Sequence, residues 1–196
     1  MTQHDSERWR EIQPTPVACA RKRYHGRVDG YLGLGSNLGD RGGNLRAGLA
    51  GLEAAGVDTV AVSSIWETEP VDADSPLWFW NMAVEIRTER SPLELLDLLL
   101  KIERWAGRRR ASRNAPRTLD MDLLLLGQLN VNHARLRLPH PRMWSRSFVL
   151  EPLAEIAPHL LNPETGRSVA DERARLTGSF VVRRLGRLAS AGSVLL

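Results

Sequence analysis

Read from residue 28 to residue 126, the chain runs strand, helix, strand, strand, helix, strand. That order predicts an α+β fold, a ferredoxin-like sandwich: an antiparallel sheet with helices packed on it and extra C-terminal elements. Three features carry the reading. The strand-like runs Val57–Trp66 and Trp80–Arg87 follow one another with only a loop between them. Two segments with leucine at helical spacing flank that pair. A last apolar run, Leu119–Leu126, closes the unit and carries two acids.

Each element has its own signal. Val28–Gly35 is a short apolar strand ending in glycines. Gly39–Gly43 forms a loop, and Leu45, Leu49 and Leu52 then share one face of a helix that ends near Gly56. Pro70 and Pro76 mark the loop between the second and third strands. Ser91-Pro92-Leu93-Glu94 has the form of a capping box with proline at the first helical position. The helix it opens is leucine-rich to about Ala106, which predicts burial on most faces. Gly127–Asn132 reads as a turn into a short hairpin strand around Arg135–Leu138, and Phe148–Ile156 as a further short helix. Residues 1–27 show no apolar periodicity and read as a flexible extension. Residues 28–165 form the predicted working domain, and 166–196 an arginine-rich tail of uncertain structure.

At 196 residues the chain has the length of one domain with tails. Hydrophobic residues at 42% and charged residues at 26% are ordinary for a soluble globular protein. The sequence pI is near 9.9 although the formal net charge is only +4. Lys22 and Lys101 are the two lysines, so 25 of the 27 basic residues are arginine, which raises the pI without a large net charge. Composition alone therefore gives no reason to expect a nucleic-acid partner. The single cysteine, Cys19, supports neither a disulfide framework nor a cysteine metal cluster. Met1–Arg23 lacks the apolar centre of a secretory signal, and no run approaches membrane-spanning length. The expectation is a cytoplasmic protein without a membrane or nucleic-acid partner.

The chemistry concentrates in Arg117-Thr118-Leu119-Asp120-Met121-Asp122 and the four leucines after it. Alternation along a strand sends Leu119, Met121, Leu123 and Leu125 one way and both acids the other. Adjacent carboxylates repel unless a cation or several donors compensate. A hard ion that prefers oxygen ligands and substrate phosphates, Mg2+, suits such a pair. Arg108, Arg109, Arg110, Arg113 and Arg117 lead into it, and carboxylates for metal beside guanidiniums for phosphate suggest phosphoryl chemistry. Taken alone, a D-x-D is more often a solvated edge strand with arginine partners. Gly33-Leu34-Gly35 is no dinucleotide fingerprint, because Leu38 stands where the third glycine is required, and no Walker A sequence is present.

Four ordered segments decide between these readings. Tyr31-Leu32-Gly33-Leu34-Gly35-Ser36-Asn37-Leu38-Gly39-Asp40-Arg41 and Pro116-Arg117-Thr118-Leu119-Asp120-Met121-Asp122-Leu123 resemble two signatures of the 6-hydroxymethyl-7,8-dihydropterin pyrophosphokinases of folate biosynthesis. Leu138-Pro139-His140-Pro141-Arg142-Met143 and Arg146–Leu153 are similar to that family's third block. The resemblance covers roughly residues 28 to 160. It implies an ATP-dependent diphosphotransferase that moves the β,γ-diphosphate of ATP to the pterin hydroxymethyl oxygen and releases AMP. It further implies two Mg2+ ions on Asp120 and Asp122, with Arg108 and Arg117 as catalytic phosphate clamps. Glu103, Arg108, Arg117, Arg135, His140 and Arg146 match ATP-binding positions. Gly35, Thr68, Val71, Phe79, Asn81 and Phe148 match the pterin pocket, with Phe79 and Phe148 stacking on the ring. Alternation sends Phe79 and Trp80 to opposite faces, so only one of them should reach the pocket. ATP and the pterin are the expected partners, the chain is expected to act as a monomer, and contact with other folate enzymes is left open.

The chain departs from the family at Asn114-Ala115, where a Trp-Gly pair is usual, and the arginine loop is one residue shorter. Loss of the indole removes apolar surface from a loop that, by the resemblance, closes over the substrates. Slower turnover or weaker pterin closure is expected. Two other readings stand beside the enzyme: a degenerate member that binds ATP or pterin with little transfer, and an RNA-binding ferredoxin-like module. The second lacks the aromatic RNP1 pattern.

Overall fold

The computed structural model describes residues 26–69, 77–108, 115–177 and 182–188. In chain order these form β1 (Val28–Ser36), α1 (Arg41–Ala54), β2 (Asp58–Val62), β3 (Ile65–Thr68), β4 (Phe79–Thr88), α2 (Pro92–Trp105) and β5 (Asp120–Leu126). A hairpin of β6 (Val131–His133) and β7 (Leu136–Leu138) follows, then a 3-10 turn (Met143–Ser145), α3 (Ser147–Ile156), α4 (Val169–Arg175) and β8 (Val182–Gly186). The main sheet runs β5-β1-β4-β3-β8, with β2 also on β4, and every pairing is antiparallel. The predicted ferredoxin-like sandwich is the observed architecture.

Local signals explain both long helices. Asp40 caps α1 by accepting the Gly43 N–H at 2.9 Å. Gly51 of α1 lets α2 come close, since a Cβ there would lie 2.8 Å from the Ile102 side chain. The predicted capping box of α2 is present: the Ser91 side chain accepts from Glu94 N–H and the Glu94 carboxylate accepts from Ser91 N–H. On one face of the sheet Leu32, Leu34, Met82, Val84 and Ile86 pack with Leu45, Leu52, Leu95 and Leu99 of the helices. On the other, Ala83, Leu124 and Leu125 pack with Val149, Leu150 and Leu153 of α3.

Three details differ from the sequence reading. The single strand expected over Val57–Trp66 is two, β2 and β3, broken at the buried Ser63-Ser64. There the Ser63 hydroxyl accepts Ala83 N–H at 2.9 Å and donates to Ser64 O at 2.8 Å, so a side chain enters the ladder. Leu125 does not share the face of Leu119, Met121 and Leu123. Against β1, Leu32 opposes Leu123 and Tyr31 opposes Leu125, so Leu124 is an extra residue; the bulge turns Leu125 to the face of the acids. The tail is partly ordered: α4 packs near α3, and β8 extends the sheet beside β3.

Glu155 of α3 ties these late elements to the sheet. Its carboxylate accepts Ser64 N–H at 3.1 Å, Ser64 Oγ–H at 2.8 Å and Trp66 Nε1–H at 3.1 Å, and pairs with Arg184 of β8. Burial alone would raise its pKa, but the bonds from Arg184, Ser64 and Trp66 outweigh that and hold it below 4.5. Glu155→Ala strands the buried Ser64 N–H and should cost about 1–3 kcal/mol in denaturant unfolding at pH 7. A carboxylate with a depressed folded pKa contributes stability above its unfolded pKa and loses it as pH falls through the folded value. The gap between wild type and Glu155→Ala should therefore be widest at neutral pH and narrow below pH 4.5.

Candidate active site

Two rows of residues cross the sheet on the α3 face. Asp120 of β5 lies opposite Gly35 of β1, and Gly35 opposite Asn81 of β4. One step along, Asp122 lies opposite Gly33, and Gly33 opposite Ala83. The central strand thus offers no side chain between the acid pair and Asn81. Above this bare strip is a cavity of about 310 Å3, bordered by Asp120, Asp122, Arg108, Arg117, Arg142 and Arg146 on the charged side. Thr68, Phe79, Asn81 and Phe148 border its other side. The volume is in the range of small-molecule sites. A larger, open hollow of about 820 Å3 beside the N-terminus of α1 has no acid pair among its described lining residues, whose one carboxylate, Glu67, is already held by Arg41 and Arg183.

The charges at the cavity are mutually compensated. Arg108 pairs with Asp120 at 2.6 Å and with Glu103, and Arg117 pairs with the other Asp120 oxygen. Glu103 is buried at 3% exposure under the strand, where its carboxylate accepts Met121 N–H at 2.8 Å. Burial pushes its pKa up to about 7, against the opposing pull of that bond and of Arg108. Asp122 is raised to about 6, first by burial and then by the charge of Asp120. Among the described residues no group of three or more His, Cys, Asp or Glu forms a protein-only metal cage. Two carboxylates on an open strip suit an ion that completes its shell with water and phosphate oxygens, so the residues present fit Mg2+.

His140, expected at the ATP side, does not itself border the cavity but lies where the charges of Arg146 and Arg142 act on it. Its backbone N–H donates to Leu124 O at 2.8 Å, and its Nδ1 accepts Arg142 N–H at 3.3 Å, which places the ring proton on Nε2. Burial and the charges of Arg146 and Arg142 push its pKa down to about 4, so at pH 7 it is a neutral donor. The Arg146 guanidinium lies 5.2 Å from the centre of the Phe148 ring, joining the cationic and aromatic sides. On the aromatic side, Asn81 Nδ2–H donates to Thr68 Oγ1 at 2.8 Å, fixing the amide plane. Its Oδ1 faces the strip, 2.9 Å from where a Cβ on Gly35 would stand.

Most of the expected site residues converge. Arg108, Arg117, Asp120, Asp122, Arg146, Gly35, Thr68, Phe79, Asn81 and Phe148 all border the cavity. Glu103 supports it from below. Phe79 reaches it while Trp80 turns away and packs under Arg41, 4.4 Å from the ring centre, as alternation requires. Arg135 is not brought in: at the turn between β6 and β7 it is exposed and pairs with Asp97 on the outside of α2. Its sequence context matched a nucleotide position, but a hairpin tip aims its side chain by the turn and its nearest counter-charge. Val71, and Arg109, Arg110, Arg113 and Asn114 of the arginine loop, lie outside the described residues. Gly33, of the Gly33-Leu34-Gly35 run, and Arg142, quoted only within a motif, also border the cavity, Gly33 as the strand neighbour of Asp122.

Comparison with known proteins agrees with this geometry. Residues 31–158 match the family model of 7,8-dihydro-6-hydroxymethylpterin-pyrophosphokinase. The chain is 46% identical over 147 residues to the 2-amino-4-hydroxy-6-hydroxymethyldihydropteridine pyrophosphokinase of Bacillus subtilis (strain 168), covering 74% of this chain and 88% of that one. It is 42% identical over 154 residues to the enzyme of the same name from Methylorubrum extorquens, covering 78% and 96%. A crystal structure of Plasmodium falciparum HPPK-DHPS shares the fold, with a TM-score of 0.62 at 12% identity over 80% of this chain and 46% of that one. The chain belongs to the 7,8-dihydro-6-hydroxymethylpterin-pyrophosphokinase family.

Proposed function

We propose that the chain transfers the β,γ-diphosphate of ATP to the hydroxymethyl oxygen of 6-hydroxymethyl-7,8-dihydropterin, releasing AMP, and that the cavity on the α3 face is where this happens. The observation that carries the reading is the bare strip of β1, which puts a carboxylate pair and an aromatic, amide-lined wall on either side of one floor. A flat, edge-polar pterin would lie between Phe79 and Phe148, its rim read by the Asn81 amide and the Thr68 hydroxyl. The triphosphate would lie over Asp120 and Asp122, where two Mg2+ ions would neutralise its charge. Arg117 and Arg108 would grip phosphate oxygens as the bond to AMP breaks, and Arg146 with the His140 Nε2–H would hold the triphosphate from the other side. Glu103 would orient Arg108 from below. Arg135 would contribute on the nucleotide side only by leaving Asp97.

In this arrangement the chain needs no covalent intermediate. The pterin oxygen and the β-phosphorus are brought in line, and the arginines stabilise charge as it develops on the transferred group. Residues 28–165 would form the catalytic unit, acting as a monomer in the cytoplasm, with the N-terminal 27 residues outside it. Among the described residues no helix is long and apolar enough to cross a membrane.

Two experiments test the reading. Incubation with Mg-ATP and the pterin should give pterin-dependent AMP, lowered at least about 100-fold in both Asp120→Ala and Asp122→Ala. ADP as the product would replace diphosphate transfer with single-phosphate transfer, and pterin binding without any nucleotide product would favour the degenerate-member reading. Separately, Gly35→Ala puts a methyl group against Asn81 Oδ1 and narrows the pterin side alone. It should raise the pterin KM about ten-fold and leave the ATP KM within about two-fold, measured by steady-state AMP release.

A further inference from the structure

Asn37 immediately follows β1 and is buried at 3% exposure, yet it borders the open hollow and not the catalytic cavity. Its bonds are to loops that end at that cavity. Its backbone N–H donates to Arg117 O at 3.1 Å, and its side-chain Oδ1 accepts Arg117 N–H at 2.7 Å. Both polar groups of the Arg117 main chain are thus held by one residue, three positions before Asp120. The Asn37 Nδ2–H also reaches Leu77 O at 3.5 Å, a long bond, two positions before Phe79. Asn37 is itself held between Ser36 and Leu38, both bonded by the Asn44 side chain of α1, at 3.2 Å to Ser36 Oγ and 2.8 Å to Leu38 O. The linkage therefore runs from a helix packed on the sheet, through Asn37, to the backbone of a phosphate-clamping arginine.

We propose that Asn37 is a positioning residue for the transfer: it fixes the Arg117 main chain so that the guanidinium starts from one defined place beside Asp120. An arginine has several rotatable bonds, and a clamp aimed at a transition state loses effect when its root is free to drift. Asn37 suits the task because a carboxamide presents an acceptor to Arg117 N–H and a donor to Leu77 O from one rigid plane. The inference rests on Arg117 as a phosphate clamp.

The test is a double-mutant cycle on the full-length protein, with kcat, both KM values and the melting temperature measured for each variant. Arg117→Ala alone should lower kcat; if it does not, the clamp assignment fails first. Asn37→Ala should lower kcat about ten-fold or more with the pterin KM within about two-fold, the loss expected when a buried main-chain N–H loses its acceptor. In the Arg117→Ala background the same change should lower kcat by less than about two-fold, because nothing remains for it to aim. Asn37→Asp keeps the acceptor for Arg117 N–H and should restore kcat to within about three-fold of wild type. Multiplicative losses in the double variant, or a kcat loss that Asn37→Asp leaves uncorrected, would assign Asn37 to folding alone and overturn the proposal. So would an Asn37→Ala protein with wild-type kcat.

Discussion

Two carboxylates on successive same-face positions of one strand must be compensated or one of them must stay protonated, and the organisation of this protein follows from that constraint. Asp120 and Asp122 lie on a strand whose other residues are apolar, so burial and mutual repulsion act together, and the pKa of Asp122 rises to about 6. Compensation comes from Arg108 and Arg117 on Asp120 and from the nearby charge of Arg146 at Asp122. Across the neighbouring strand Gly33 and Gly35 stand opposite the two acids, so that strand raises no side chain beside them. A Cβ at Gly35 would press on Asn81 Oδ1 at 2.9 Å, and one at Gly33 would meet the Leu124 side chain at 3.7 Å. That bare strip leaves a floor on which a flat ligand can lie.

The two faces of the sheet divide the work. One is sealed by α1 and α2 and forms a dry core, with Leu32, Leu45, Leu95 and Leu99 fully buried. The other is covered by α3 only where Val149, Leu150 and Leu153 pack on Ala83, Leu124 and Leu125, and the cavity lies where that cover stops. This division weighs against an RNA-binding reading. A ferredoxin-like sheet that stacks bases needs one open face. Here α3 occupies much of the candidate face, and the acid pair in the remaining opening would repel a phosphate backbone.

What could be read from the residues was what local chemistry controls. The Ser91–Glu94 capping box, the shared face of Asp120 and Asp122 and the opposite facing of Phe79 and Trp80 depend on near neighbours in sequence, and each is found in the structure. The bulge at Leu124 was invisible because Leu123 to Leu126 are identical in type; only the pairing with Tyr31 and Leu32 decides which one is extra. Strand β8 was missed for a related reason. Arg183 and Arg184 suggest a solvated tail until Glu67 and Glu155, 116 and 29 residues away in sequence, become their partners. Arg135 matches an ATP-binding position by resemblance, yet in the structure it is exposed, pairs with Asp97 and does not border the cavity.

The departure from the family pattern at Asn114-Ala115 falls between two anchored points, and that location limits what it can change. At the upstream end, Arg108 N–H donates to Glu103 O at 3.0 Å and its guanidinium pairs with the buried Glu103 carboxylate. At the downstream end, the Arg117 main chain is bonded on both sides by Asn37. Arg108 and Arg117 therefore belong to the roots of the segment, each with its main chain bonded to residues outside it. On the proposed reading, a substitution in the middle would alter how the pterin is covered, because cover is a matter of apolar area and backbone freedom. It would leave the Arg108 and Arg117 main chains bonded to Glu103 and Asn37. On the proposed reading, closure and phosphate grip would be separable, and Asn114-Ala115 would bear on the first.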